Sequence, residues 1–249
     1  MNIQSLKTHK IIPGQDTDIY KILDKYVKKM PDNSVLAITS KIVAICEGRF
    51  VKIGTVDKGK LIEAESEYFL PPGPNGFYLT IKYGILSVSA GIDESNGKDC
   101  YILWPKNPQK TANDMRKYLA KKFGLKKIGV IITDSKITPL RWGVTGVSIT
   151  HSGFAPMNDY IGTNDIFGRE LKFTKTNVMD ALGGAAVMIM GEGKEQTPLA
   201  IIEDVPFVNF QQRNPTQKEL REVCIAMRED DLYRSLLTSV KWRKGGSLS

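Results

Sequence analysis

Apolar and polar residues alternate along this chain with spacings that predict several helices. Over residues 16–30, apolar side chains recur every three or four positions, which is typical of an amphipathic helix. Residues 111–123 repeat this spacing, and a glycine closes the segment. A third helix is predicted over 176–190, where Gly183 and Gly184 would allow close packing against a neighbouring element. Helices therefore account for three well separated parts of the chain.

Short runs of β-branched and aromatic residues predict strands at 35–38, 127–132 and 205–210. The second run contains three consecutive apolar residues, 130–132, which indicates a strand that is buried on both faces. Between residues 66 and 92, turn signals alternate with β-rich runs, so we expect paired strands there.

The order of these elements predicts the fold class. Strands and helices mix without a steady β-α-β rhythm, and no segment repeats. We therefore predict an α+β fold with mixed or antiparallel sheets rather than a doubly wound sheet. No low-complexity linker divides residues 1–249, so any two subdomains are interleaved within a single unit. Near the C-terminus, Asn214 and Pro215 predict one helix start, and Asp230 or Asp231 a second.

Composition narrows the class of protein. The 249 residues are 41% hydrophobic and 25% charged, as in globular proteins. The longest apolar stretch, 185–190, is too short to cross a bilayer, and no export signal is visible, so we expect a cytoplasmic protein without a membrane partner.

Three widely spaced cysteines argue for a reducing compartment and against zinc. With two histidines only, any metal would bind to oxygen ligands, which favours Mg²⁺ or Mn²⁺.

The net charge of +8 has two interpretations. It is either a solvated basic surface or a means of attracting polyanionic small molecules such as nucleotides. Nucleic acid is not an expected partner, because the basic residues are not interspersed with stacking aromatics.

Several familiar catalytic motifs are absent. The chain has no P-loop, and the segment GEGKEQ lacks the third glycine of a dinucleotide fingerprint. It also lacks GxSxG and HExxH. His151 is either a structural histidine or a general base.

Polar side chains follow apolar runs in four segments. A carboxylate in such a place, Asp134 for example, is either a ligand for metal or substrate or the first solvated residue of a turn. Mg²⁺ needs few protein carboxylates, because phosphate and water complete its coordination. Gly191 and Gly193 would let backbone N–H groups approach phosphate oxygens. The polar residues of the four segments are Ser40, Lys41, Asp93, Asn96, Asp134, Ser135 and Glu192.

Five ordered motifs together resemble one enzyme family. They are TSKIVAICEGR, SAGIDESN, IGVIITDS, HSGFAPMNDYIGTNDIFGREL and MGEGKEQTP. The chain is similar, from about Lys10 to Val208, to the γ-glutamyl ligases that add glutamate to coenzyme F-420. This resemblance implies an α+β fold of two intertwined subdomains and a homodimer. It also implies GTP as cofactor with Mg²⁺ or Mn²⁺, often with a potassium ion.

The resemblance implies roles for the residues of this chain that match the family's motifs. It implies that Asp93 and Asp134 hold a first metal and that Ser135 and Glu192 hold a second. Ser135 replaces the family's usual threonine but keeps the hydroxyl. Asp93, Asp134 and Lys41 would be the catalytic residues. Nucleotide contacts are implied for Thr8, His9, Lys10, Ile11, Ser40, Lys41, Asn96, Met190, Gly191, Gly193, Lys194, Glu195, Gln196 and Thr197.

The chain departs from the family pattern in two places. Ile45 stands where the family has a lysine that touches GTP, and KITPLRWG replaces a Gly-Arg turn after Asp134. The resemblance therefore says more about the class of reaction than about the acceptor. The acceptor is either the F-420 precursor or another γ-glutamylated compound such as a folate. GTP and ATP also stay open.

The ligase resemblance implies a route through an acyl phosphate. The γ-phosphoryl group would move to the acceptor carboxylate, and the amine of L-glutamate would then attack. Lys41 and Arg141 would neutralise charge, while Asp159, Asp165 and Arg169 would either meet glutamate or simply cap loops and pair at the surface. The alternative function is a non-catalytic nucleotide-binding sensor or scaffold on the same fold.

Overall fold

The computed structural model describes residues 1–73, 75–225 and 231–246. Within these ranges the strands are β1 (Asn2–Leu6), β2 (Ser34–Thr39), β3 (Phe50–Lys52), β4 (Tyr68–Phe69), β5 (Leu79–Lys82), β6 (Ile85–Val88), β7 (Cys100–Ile102), β8 (Ile128–Ile137), β9 (Val144–Ser152), β10 (Met157–Asp159), β11 (Lys175–Asn177), β12 (Leu199–Glu203) and β13 (Arg243–Lys244). The helices are α1 (Ile19–Tyr26), α2 (Ser40–Cys46), α3 (Lys58–Glu65), α4 (Pro108–Phe123), α5 (Val178–Met190), α6 (Gln217–Val223) and α7 (Arg234–Thr238). A short 3₁₀ turn spans Ser89–Gly91.

A five-stranded sheet with the order β1-β12-β2-β8-β9 forms the centre of the molecule. β2 and β8 are parallel, and the other neighbours are antiparallel. Val130 and Ile132 pack on one face with α1 and α4, whereas Ile131 packs on the other face with α5. This arrangement confirms the prediction that the apolar run 130–132 is buried on both faces.

The remaining strands form smaller sheets. β13, β4, β5 and β6 make a four-stranded sheet, while β3 pairs with β7 and β10 with β11. The antiparallel β5–β6 pair confirms the strands predicted between residues 66 and 92. Helices together with mixed and antiparallel sheets confirm the α+β class, and the division into two intertwined subdomains stays a prediction. No helix within the described ranges is long and apolar enough to span a membrane.

Local sequence explains where the predicted helices begin and end. α4 is capped by the side chain of Asn107, and Gly124 ends it with φ of 66°. α1 is shorter than predicted because Asp18 caps it, accepting hydrogen bonds from Tyr20 N and Lys21 N. α6 starts two residues later than predicted, since Thr216 forms a capping box with Glu219.

One predicted strand is wrong. Residues 205–210 form turns and bends, and the strand lies earlier, at β12. Asp204 and Phe207 have positive φ values of 49° and 64°, and Pro206 lacks an N–H group, so this stretch cannot continue a ladder. For the predicted second C-terminal start, Asp230 lies outside the described residues and the helix after Asp231 begins at Arg234.

Gly183 and Gly146 allow α5 to lie very close to β9, which confirms the close packing predicted for the helix over 176–190. A Cβ atom on Gly183 would lie 2.4 Å from Ser148 Oγ, and one on Gly146 would lie 2.5 Å from the Gly183 carbonyl oxygen. At Gly184 the nearest atom would be 3.8 Å away. Gly183 is therefore required by packing, whereas Gly184 is not.

Candidate active site

Five segments of the chain surround a cavity of about 670 Å³. They are the loop after β1, the start of α2, the loop that follows the 3₁₀ turn, the middle of β8, and the loop between α5 and β12. Most of the residues singled out in the sequence lie here, although their roles stay predictions. Those residues are Thr8, His9, Lys10, Ile11, Lys41, Asp93, Asn96, Asp134, Ser135, Met190, Gly191, Glu192, Gly193, Lys194, Glu195, Gln196 and Thr197.

The parallel pairing of β2 and β8 explains why Lys41 and Asp134 meet. Thr39 pairs with Thr133, so both strands reach the cavity at the same edge of the sheet. The sequence predicted that Asp134 comes after the end of its strand. This prediction is wrong, because β8 continues to Ile137 against β9. β2 has ended by then, which leaves one side of β8 open at Asp134.

Asp93 is held by a lysine and a serine. Lys41 Nζ lies 2.5 Å from Asp93 Oδ2 and also donates to the carbonyl and hydroxyl oxygens of Ser95. Ser95 N donates to Asp93 Oδ1 at 2.7 Å. Burial opposes ionisation of Asp93, but the Lys41 ammonium and the Ser95 hydrogen bonds outweigh it and lower the pKa of the carboxyl. Asp93 is therefore a carboxylate that already faces a cation.

Asp134 and Glu192 are in the opposite electrostatic situation. Burial raises the pKa of Asp134, although Trp104 Nε1 and Ser135 N both donate hydrogen bonds to its carboxylate. Burial also raises the pKa of Glu192, and the nearby negative charge of Asp134 adds to this effect. A cation bound between these groups would relieve the cost of ionising them.

Hydrogen bonds tie the loop between α5 and β12 to its neighbours. Thr8 N donates to the Gln196 carbonyl oxygen at 2.8 Å, and Asn96 Nδ2 donates to the Gly193 carbonyl oxygen at 3.2 Å. Gly191 adopts φ of 78°, which favours glycine. Gly193 N donates to Glu195 Oε2 at 2.8 Å, so this N–H group is engaged by a carboxylate of the chain itself.

Four lysines line the cavity: Lys10, Lys41, Lys98 and Lys194. Their charge suits a polyphosphate group, which carries several negative charges. Lys98 was not predicted, although it lies two residues after Asn96 in the same loop. Ile45 is buried and contributes an apolar surface where the family pattern has a lysine.

Other candidates lie elsewhere. Ser40 is buried at the start of α2 and is not among the lining residues. Asp159 pairs with Lys175 at 2.9 Å, and Asp165 Oδ1 accepts hydrogen bonds from the backbone of its own turn, including Arg169 N. These contacts favour the surface-pairing and loop-capping interpretation of Asp159 and Asp165.

Arg141 and His151 also lie away from the cavity lining. Arg141 belongs to the exposed β8–β9 connection and donates to the Leu140 carbonyl oxygen. His151 is buried within β9, which supports a structural role. Of the two cations named for charge neutralisation, Lys41 lines the cavity and Arg141 does not.

The donor set fits a hard divalent cation. Asp93, Asp134 and Glu192 contribute carboxylates to the cavity wall, and Ser135 contributes a hydroxyl. Among the described residues, no three His, Cys, Asp or Glu side chains group closely enough to form a metal site by themselves. Mg²⁺ often binds one or two carboxylates and completes its shell with phosphate and water, so this arrangement is compatible with it.

Trp104 is a residue that sequence reasoning missed. It is buried, and its indole N–H donates to Asp134 Oδ2. The surrounding CYILWP has no motif that distinguishes this tryptophan from any other core aromatic residue.

Comparison with known proteins identifies relatives of this chain. Residues 57–204 match the family profile described as F420-0:Gamma-glutamyl ligase. The chain is 37% identical to the Coenzyme F420:L-glutamate ligase of Methanococcus maripaludis, over 89% of this chain and 87% of that protein. It is 29% identical to the protein of the same name from Methanocaldococcus jannaschii, over 89% of this chain and 92% of that protein. This chain therefore belongs to the F420-0:gamma-glutamyl ligase family.

Proposed function

We propose that this chain is a nucleotide-dependent ligase that joins L-glutamate to a carboxylate acceptor. The named relatives act as glutamate ligases on coenzyme F420, which makes the F-420 precursor the first acceptor to test. We further propose that GTP or ATP supplies the phosphoryl group, with Mg²⁺ or Mn²⁺ as the cofactor.

The convergence of four acids and four lysines around one cavity carries this proposal. Asp93, Asp134 and Glu192 come from distant parts of the chain. A protein with no charged ligand has little reason to direct several acids and lysines into one cavity, since gathering like charges raises the free energy of the folded state. A metal-bound polyphosphate between the two sets of charges balances both.

The reaction proceeds in two displacements. The acceptor carboxylate attacks the γ-phosphorus, so an O–P bond forms, the bond to the β-phosphate breaks, and a nucleoside diphosphate leaves. The glutamate amine, after losing a proton, attacks the carbonyl carbon of the acyl phosphate. A C–N bond then forms, the C–O bond to phosphate breaks, and inorganic phosphate leaves.

The chain's own residues position the reactants and neutralise charge. Lys41 would exchange its contact with Asp93 for the phosphate oxygens, and Lys10, Lys98 and Lys194 would attract the polyphosphate. Asp93, Asp134, Ser135 and Glu192 would hold the divalent cation, which supplies charge neutralisation at the transferring phosphoryl group.

Mass spectrometry of the product tests the proposal. Purified chain is incubated with GTP or ATP, Mg²⁺ or Mn²⁺, L-glutamate and a panel of carboxylate acceptors that includes the F-420 precursor and folates. We expect one acceptor to gain the mass of a glutamate residue, together with phosphate release that requires both glutamate and acceptor. Replacing K⁺ by Na⁺ in the buffer tests the potassium ion.

Tight nucleotide binding without turnover on any acceptor would favour the sensor or scaffold instead. That outcome is unexpected, because a scaffold has little use for the carboxyls of Asp93, Asp134 and Glu192 around a phosphate site.

We also propose that the chain forms a homodimer. The β8–β9 connection carries Leu140 and Trp142, which are 96% and 104% exposed. Apolar side chains this exposed are commonly covered by a partner, and we propose that the partner is a second copy of this chain.

A further inference from the structure

We propose that Trp104 is a positioning residue that holds the Asp93 and Asp134 carboxylates in one geometry. The inference rests on the proposed function, since it concerns how the acids of that site are arranged. Trp104 lies behind the cavity wall, and it would act through the two acids.

The indole fixes Asp134 directly. Trp104 Nε1–H donates to Asp134 Oδ2, while Ser135 N donates to Asp134 Oδ1 at 2.8 Å. Each oxygen therefore has one fixed donor, and its remaining lone pairs are directed by these two bonds. Deleting the indole donor would let the carboxylate rotate about its last side-chain bond.

The same ring fixes the loop that carries Asp93. A Cβ atom on Gly91 would lie only 2.1 Å from Trp104 Nε1, so the indole edge lies directly against the Gly91 backbone. Gly91 also has φ of 71° and follows Ser89 and Ala90, which have positive φ values of 52° and 55°. Ser89 and Ala90 are strained in this region, whereas Gly91 adopts it freely, and packing against the indole together with the Ala90 N–H bond to Thr80 Oγ1 holds the turn.

The short segment 100–104 contacts Asp93 through its backbone and Asp134 through the Trp104 side chain. Asp93 N donates to the Ile102 carbonyl oxygen at 3.0 Å, and Ile102 N donates back to the Asp93 carbonyl oxygen at 2.8 Å. Two residues later the chain reaches Trp104. One rigid stretch therefore sets the distance between the Asp93 backbone and the Asp134 side chain.

The ring itself is held firmly. Trp104 is 2% exposed and stacks on Tyr83 with ring centroids 6.0 Å apart. Tyr83 donates its hydroxyl to the Pro105 carbonyl oxygen at 2.9 Å, and Arg49 Nε donates to the Trp104 carbonyl oxygen at 3.2 Å. An indole with so many neighbours can orient a ligand without moving itself.

Trp104→Phe removes the N–H donor and keeps an aromatic ring in place. We expect Mn²⁺ affinity, measured by electron paramagnetic resonance with a non-hydrolysable GTP or ATP analogue, to fall by about 10-fold to 100-fold. Phe154→Leu is the matched control, because Phe154 is also a buried aromatic residue but packs in the core around α5. It should lower stability to a similar degree and leave Mn²⁺ affinity close to that of the wild type.

A second measurement uses the wild-type chain, in case Trp104→Phe does not fold. The chain has three tryptophans, and Trp242 Nε1 donates to the Leu237 carbonyl oxygen instead. In nuclear magnetic resonance spectra, the indole N–H signal of Trp104 should shift on addition of Mg²⁺ and the analogue, whereas that of Trp242 should not. Trp142→Phe and Trp242→Phe variants assign the signals.

The outcomes separate the two proposals. If the wild type binds no Mn²⁺ with either analogue, the proposed function fails and this inference fails with it. If the wild type binds but Trp104→Phe binds equally well, or Phe154→Leu weakens binding as much, or the Trp104 signal stays fixed, this inference alone is overturned.

Discussion

Asp134 is a residue of the site whose carboxyl costs free energy to ionise, because it is buried. Burial raises the pKa of its carboxyl, so the ionised form costs more free energy here than in water. A divalent cation needs the ionised form, and its binding at this site therefore releases protons. The affinity of the cation is expected to fall as the pH is lowered.

Asp134→Asn removes the charge and keeps the shape. Turnover should fall by about 100-fold or more, the scale found when one charge-stabilising group is removed. The fold should survive, because the amide oxygen still accepts one of the two hydrogen bonds and losing the other costs about 1 kcal/mol. Phosphate release and thermal unfolding measure the two effects. Asp114→Asn on α4, which does not line the cavity, is the control, and a wild-type rate for Asp134→Asn would make Asp134 merely structural.

His151 makes stability depend on pH. Burial lowers the pKa of the imidazole to about 4, and Nε2 has no hydrogen-bond partner among the residues that the structure describes. The unfolded chain takes up a proton near pH 6.5 and the folded chain only near the lowered value, so the stability present at neutral pH is lost as the pH falls between them. Between neutral pH and about pH 5 this residue should cost about 2 kcal/mol of unfolding free energy.

His151→Leu tests the sign of this effect. Urea unfolding at both pH values should show a smaller acid-induced loss of stability in the variant than in the wild type. An equal loss in both proteins would mean that other groups cause it.

At the scale of elements, the contact between α5 and β9 connects packing with the site. α5 ends at Met190, where the loop that lines the cavity begins. Because Gly183 lies against Ser148, any side chain there must push the helix away from the sheet. The position of the loop therefore depends on a glycine some distance along the helix.

Gly183→Ala and Gly184→Ala form a matched pair on neighbouring residues of one helix. The first should lower the unfolding free energy by about 1–3 kcal/mol through overpacking. The second should leave it unchanged or raise it by up to about 1 kcal/mol, because alanine is the better helix former. Thermal unfolding measures both, and equal effects of the two changes would contradict the packing account.

Sequence patterns predicted elements better than they predicted the supports of the site. Buried strands and capped helices have local causes, so β2, β8 and α4 could be predicted. Residues 205–210 looked like a strand because they are rich in apolar side chains, but they contain Pro206 and the left-handed Phe207, and the left-handed Asp204 precedes them. Trp104 could not be predicted as a partner of Asp134, because their contact joins residues that are distant in sequence.

At the scale of the whole molecule, the exposed apolar side chains of the β8–β9 connection allow the proposed homodimer to be tested. We expect light scattering to give twice the chain mass of 27.7 kDa. Leu140→Ser with Trp142→Ser should shift the mass towards one chain, since both side chains are fully exposed in the single chain. A single-chain mass for the wild type would contradict the homodimer.

The parallel register of β2 and β8 restricts which insertions and deletions the two strands can accept. The two strands pair residue for residue from Ser34 and Ile128 to Thr39 and Thr133. One inserted codon in either strand would exchange its two faces and displace everything beyond it by about 3.3 Å. Substitutions in these strands can accumulate one at a time, but insertions and deletions should be confined to the loops outside them.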